Sequence, residues 1–148
     1  MPNKTEHVQF GAFAGTGYSL IAAQVSGRTP SIFELIGCAV GSILASMGPD
    51  VLEPAHNPNH RSTCHSVVVL GALLFIAQPK LEVERQRRLL LAESYRQQAQ
   101  TCSGDHRSYW LGQVQGQEFL AGFFSGLVPG YASHVIADSQ TPKGIPLV

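Results

Sequence analysis

The chain is 148 residues long, enough for one domain with a sizeable core. Basic and acidic residues balance at 10 each, and charged residues make up only 14%, against a usual value of about 25%. The balance gives nucleic acid no electrostatic footprint, and three cysteines without a CxxC spacing exclude a disulfide scaffold or a zinc ribbon.

The charge is unevenly spread. "MPNKTEHVQF" carries no cleavable signal peptide, because no adequate apolar core and small-residue cleavage site follow its lysine. From residue 8 to residue 49 only Arg28 and Glu34 are charged. Two apolar helices are predicted there, over residues 7–25 and 31–47, divided by "SGRTPS" with Ser31 as a plausible N-cap. "FGAFAGTGYS" and "GCAVGS" space small residues three or four apart, which lets membrane helices approach closely. Cys38 reads as a small buried residue.

"GPDVLEPAHNPN" then breaks the helical pattern with prolines. "HRSTCHS" follows, and a third apolar helix is predicted over residues 65–78. Residues 80–100 read as a polar helix that starts just after Pro79, with a thin apolar stripe of Leu81, Leu89 and Leu90. The polar region as a whole, 79–107, is an insertion in a single helical domain, 1–148. Tyr109 and Trp110 look like an interfacial aromatic anchor. A fourth apolar helix is predicted over residues 119–137, and "PKGIP" closes the sequence. The fold class is all-α: a bundle of about four apolar helices plus one polar helix. The apolar segments run about 14 to 19 residues, near the lower limit of about 17 for a spanning helix. Mean hydropathy is only +0.05, but the polar helix dilutes it, and a membrane-embedded bundle is the expectation. A soluble bundle is the alternative.

An up-down-up-down order, favoured by short connections, brings particular residues to one end. The first helix starts near His7, the second ends near Asp50, the third starts at His65, and the fourth ends near His134 and Asp138. The "SGRTPS" turn and the charged residues from Lys80 to Arg107 fall at the other end. His134 and Asp138 in "SHVIAD" are spaced i, i+4, on one helical face. Imidazole is the commonest transition-metal ligand and carboxylates complete hard or borderline sites. His7, Asp50, His60, His65, His134 and Asp138 are therefore candidate metal ligands. Glu53 is a candidate ligand or general base. Arg61 is a candidate anion holder, because its guanidinium matches a phosphate with two hydrogen bonds. Such a set suits one or two divalent transition ions, Zn²⁺ first, with Mn²⁺ or Fe as alternatives. His56 reads as an exposed loop residue, His106 as an exposed residue at the wrong end, and Cys64 as a non-ligand.

"GPD", "HRSTCHS" and "GYASHVIADSQTPKGIPL" together resemble the YdjM-like family of LexA-regulated, inner-membrane, metal-dependent hydrolases. The C-terminal block matches at Gly130, Tyr131, Ser133, His134, Asp138, Thr141, Pro142, Gly144 and Pro146. The middle block matches at His60, Arg61, His65 and Ser66, with Cys64 where the family has Thr. The first block departs: Asp50 matches, but the second acid is displaced to Glu53. The polar helix looks like an addition to the family pattern, and the chain stops short of where relatives continue. The His-x-x-x-Asp pair is also similar, more weakly, to that of zinc-dependent phospholipases C.

The resemblance implies a metal-dependent hydrolase in the bacterial inner membrane or a phage-encoded equivalent. Its partners would be membrane lipid and a small-molecule or lipid-linked substrate, plausibly a phosphoester, and no nucleic acid. Two other functions fit the residues: a non-catalytic membrane protein with a structural or sensory metal site, and a helical membrane adaptor without metal. The basic residues from Lys80 to Arg107, with Arg28, place that end in the cytoplasm by the positive-inside rule and turn the metal site outward.

Overall fold

A computed structural model describes residues 4–53, 64 and 66–140. The described residues are all-α. Helix α1 (Lys4–Val25) leads through a turn to α2 (Ile32–Leu52), which Ser31 caps by accepting from the Glu34 amide at 3.1 Å. Helix α3 (Val67–Ala72) is capped by Ser66 and passes through a wide π turn (Leu73–Ala77) into α4 (Gln78–Thr101). Helix α5 (Gly104–Ser139) completes the chain. Gly104 has a φ of 56°, and this left-handed residue lets α5 turn back directly after α4.

The third apolar segment and the polar helix therefore form one continuous rod. Backbone angles stay right-handed helical at both junctions, Ala72–Leu73 and Ala77–Gln78. The polar helix does not begin after Pro79 but runs through it. Proline has no amide to donate and crowds the carbonyl four residues back, and the widened π turn just before Pro79 accommodates that defect. The apolar stripe also differs from the sequence reading. The buried residues of α4 are Arg85, Ala92 and Ala99. Leu90 is 72% exposed, because it lies about 100° around the helix from Leu89.

Helices α2 and α5 run parallel and touch backbone to backbone. Gly122, Gly126 and Gly130 of α5 face Glu34, Cys38 and Ser42 of α2, and a Cβ on any of the three glycines would overlap α2 backbone atoms. Helix α1 runs antiparallel to α2, joined by a row of side-chain bonds. Ser46 donates to the His7 carbonyl at 3.1 Å, Ser42 to the Gly11 carbonyl at 2.5 Å, and the Cys38 thiol to the Gly15 carbonyl at 3.0 Å. Small side chains shorten the interhelical distance, and their donors then reach carbonyls that a larger residue would hold away.

Two described helices, α2 and α5, are long and apolar enough to cross a membrane. At 36 residues, α5 is about 54 Å long, against a hydrocarbon core of about 30 Å. Its first half packs against α4. Arg96 of α4 pairs with Glu118 at 2.6 Å, Arg88 with Gln117 at 3.2 Å, and Trp110 tilts on Tyr95 with ring centroids 5.4 Å apart. Trp110 thus packs inside the α4–α5 hairpin, while Tyr109 is exposed. Arg85 is buried against Glu34, 3.2 Å away, and Glu34 also receives Arg28 from the α1–α2 turn. This ion network marks the charged end of the bundle.

Candidate metal centre

The other end gathers the titratable residues. His7 lies in the first turn of α1, Asp50 in the last turn of α2, and His134 and Asp138 at the end of α5. The antiparallel order brings them together as the sequence predicts. His134 Nε2 stands 3.5 Å from Asp138 Oδ2 and 3.8 Å from Asp50 Oδ1. His7 Nε2 stands 4.0 Å from Asp138 Oδ1. The two imidazoles stack, with centroids 4.2 Å apart. One ligand atom from each of His7, His134 and Asp138 falls within 4.8 Å of the others.

Why these side chains sit here follows from the helix contacts. Ser46, which donates to the His7 carbonyl, is one turn from Asp50 on α2. Gly130, pressed on Ser42, is one turn before His134 on α5. Close packing one turn below the cluster therefore sets its lateral dimensions. His7, His134 and Asp138 are buried, whereas the Asp50 side chain is 42% exposed and forms the open side.

The nitrogen–oxygen separations of 3.5 to 4.0 Å exceed hydrogen-bond length. Of the three, the His134–Asp138 separation of 3.5 Å matches the edge of a tetrahedral coordination shell, where ligand atoms about 2.0–2.2 Å from one ion lie about 3.3–3.6 Å apart. Two imidazoles with two carboxylates are also a donor set that borderline divalent ions accept.

Glu53 sits just past α2 and accepts the Cys64 amide at 3.0 Å. The Tyr131 hydroxyl donates to the Cys64 carbonyl. Cys64 is thus held through its amide by Glu53 after α2 and through its carbonyl by Tyr131 of α5. Burial, then the Glu53 carboxylate, push the Cys64 thiol above its usual range. His60, Arg61 and His65 lie outside the described residues, as does His56. His106 is exposed at the charged end, as the sequence suggested. Sequence reasoning missed the parts of Tyr131 and of the Cys64 backbone. The tyrosine's place one turn before His134 and Val135 on the same helix was the available signal.

The family model described as "YdjM inner membrane protein" matches residues 1–148, the whole chain. No curated protein and no solved structure matches it.

Proposed function

From the premise that the chain belongs to the YdjM inner membrane protein family, we propose that it is a membrane-bound hydrolase that holds a divalent transition metal at His7, Asp50, His134 and Asp138. The observation that supports this reading is the convergence of His7, His134 and Asp138 from α1 and α5 at one end of a charge-poor bundle, with Asp50 of α2 3.8 Å from His134. Zn²⁺ suits the donor set best, with Mn²⁺ or Fe as alternatives and room in the motif for a second ion. A bound ion of this kind supplies Lewis-acid polarisation and brings the pKa of its water to about 7.

The chain's own residues divide the remaining work. Asp50, on the open side, faces arriving water and substrate. Glu53 and Tyr131 hold the Cys64 backbone, and Cys64 lies close to His60, Arg61 and His65 in sequence. Arg61 is the group suited to a phosphoryl oxygen, so a phosphoester is the favoured substrate. In its hydrolysis the water oxygen bonds to phosphorus, and the departing alcohol leaves with a proton. Basic residues concentrated on the α4 side put the α4–α5 hairpin in the cytoplasm and the cluster outward.

Metal content of the detergent-purified protein, wild type beside the His7→Ala/His134→Ala variant, tests the reading. One or two equivalents in the wild type, lost in the variant, together with turnover on a phosphoester panel, are the expected results. A well-folded wild type that stays metal-free after loading overturns it. One observation favours a structural metal instead: His134 and Asp138 are only 0% and 1% exposed. In that case chelation lowers the melting temperature and no substrate turns over.

A further inference from the structure

Helix α4 has an inner face, Arg85, Ala92 and Ala99, that is buried in the bundle. On the opposite side of the helix, Val83 and Leu90 are 71% and 72% exposed. Seven residues separate them, so they lie on one face, two turns or about 10.5 Å apart. A shallow groove runs along them, with Gln86 and Arg87 on its walls. Lipid does not account for this stripe. Arg85 meets Glu34 in the first turn of α2, which marks where the membrane-crossing helices meet the charged end. From Arg85 the helix runs on for sixteen residues to Thr101, about 24 Å. Leu90 belongs to that outer stretch, an aliphatic side chain in water among Arg87, Glu93 and Arg96.

The charges beside the stripe match a second α4. Two copies that cross one membrane with the same polarity are related by an axis along the membrane normal, so equivalent helices lie side by side and parallel. Val83 then faces Val83 and Leu90 faces Leu90, as at one inner position of a parallel coiled coil, with Gln86 at the other. Glu82 and Arg87 flank this seam on opposite sides, at the places from which salt bridges form between such helices. Each Glu82 therefore meets Arg87 of the second copy, twice over by symmetry. The Arg87 side chain is 69% exposed and bonded to Glu84 at a long 3.4 Å, so it can swing across. The bonds that Glu82 accepts from Arg85 and Gln86 both use Oε1, so Oε2 can accept from the second copy. The seam ends at Glu93, whose carboxylate bonds to Arg96 of its own chain.

We infer that the outer face of α4 is a self-association surface. Two copies of the chain pair in the membrane through parallel α4 helices, with Val83 and Leu90 at the seam and a Glu82–Arg87 pair on each side. An unrelated partner would not need the two charges of one helix to complement each other. The seam is short, and exposed ion pairs add little strength. Confinement to one membrane raises the effective concentration of the copies, as a tether does for linked modules. The inference is independent of the hydrolase reading, because no residue of the cluster takes part in it.

The test is disulfide crosslinking of the full chain in native membrane vesicles. A Cys64→Ser/Cys102→Ser background leaves only Cys38, which is buried. Val83→Cys and Leu90→Cys are each expected to form crosslinked dimer at least tenfold faster than Gln115→Cys, an exposed position on α5. When the two variants carry different tags and are co-expressed, each joins to its own kind, because their positions lie two turns apart in the parallel register. Arg87→Glu sets a second carboxylate against Glu82. It is expected to slow Val83→Cys crosslinking at least fivefold at low salt, with much of the loss recovered at high salt, and to leave the melting temperature in detergent unchanged. A predominant mixed product would mean antiparallel pairing and overturns the inference. So do equal rates at Gln115→Cys, which is random collision, and the absence of dimer at every protein density. An Arg87→Glu protein that crosslinks as fast as its parent removes the charge match, and with it the case for a second copy.

Discussion

His7 and His134 stack ring on ring, with centroids 4.2 Å apart and planes 22° from parallel. Stacked rings expose their nitrogens at the edges, and both Nε2 atoms point toward Asp138, one to each oxygen. Asp138 is therefore the carboxylate shared by the pair. Asp138→Asn preserves shape but removes the charge and half of the acceptor capacity. Metal affinity is expected to fall by at least about 100-fold, the upper end of what changes around a metal's ligands cost. Competition with a chelator of known affinity measures it. An affinity within threefold of wild type would show that Asp138 is no ligand.

The α2–α5 seam makes a second prediction. Gly122→Ala and Gly130→Ala drive a methyl into α2 backbone, and each is expected to cost about 1–3 kcal/mol. Gly116→Ala, where a Cβ meets nothing within 4 Å, replaces a poor helix former and is expected to gain up to about 1 kcal/mol. Melting temperatures in one detergent compare the three. Equal effects would mean that the seam is not packed as described.

Much of this arrangement was legible in the sequence, for a definite reason. Charge-poor segments with short breaks fix the helix order, and order alone decides which helix ends meet. His7, Asp50, His134 and Asp138 follow from counting helices. The contacts at the far end did not follow. Glu34 is a lone acid in an uncharged stretch, which announces a partner, but periodicity cannot choose Arg85 from six nearby cations. The row Glu34, Cys38, Ser42, Ser46 and Asp50, every fourth residue of α2, was visible as spacing. Its meaning depended on α1 carbonyls whose register only the packed structure supplies. Leu90 was misassigned because a run of three leucines occupies more than one helical face.

Arg85 offers a third prediction. Arg85→Met leaves buried Glu34 with Arg28 alone and Glu82 without its bond to Arg85. Breaking one side of a buried pair costs about 3 kcal/mol. The Glu34→Leu/Arg85→Leu double variant, which buries no leftover charge, is expected to recover most of that loss. Thermal unfolding of the single and double variants decides the matter. A double variant as unstable as Arg85→Met would show that the pair does more than satisfy itself.

Cys64 supplies a prediction in pH. Burial and the Glu53 carboxylate raise its thiol, so less thiolate is present at any given pH. Its alkylation should reach half of its plateau rate above the usual thiol midpoint of about 8.5. Glu53→Gln removes the nearby negative charge, moves the midpoint down and speeds alkylation at pH 8. Burial, the larger cause, remains, so the midpoint does not fall below the usual value. An unchanged profile in Glu53→Gln would separate the carboxylate from the thiol.

Sidedness can be read from the same chemistry. Cys38 is fully buried, while Cys64 and Cys102 are partly exposed, and they mark opposite ends of the bundle. A membrane-impermeant maleimide is expected to reach Cys102 in inverted vesicles and Cys64 in right-side-out ones. The reverse pattern would place the cluster in the cytoplasm.

The length of α5 has one more consequence. A single rod joins the α4–α5 hairpin to two of the cluster's side chains, and it is gripped along α2 at Gly122, Gly126 and Gly130. Asp138 lies eight residues beyond Gly130, an arm of about 12 Å, so a tilt of about 5° about that last grip swings it by roughly 1 Å. Metal coordination tolerates errors of about 0.2 Å. Whatever tugs on α4 therefore has a mechanical handle on the other end of the bundle, and on the proposed metal reading a few degrees of lean are enough to take His134 and Asp138 out of reach of a shared ion.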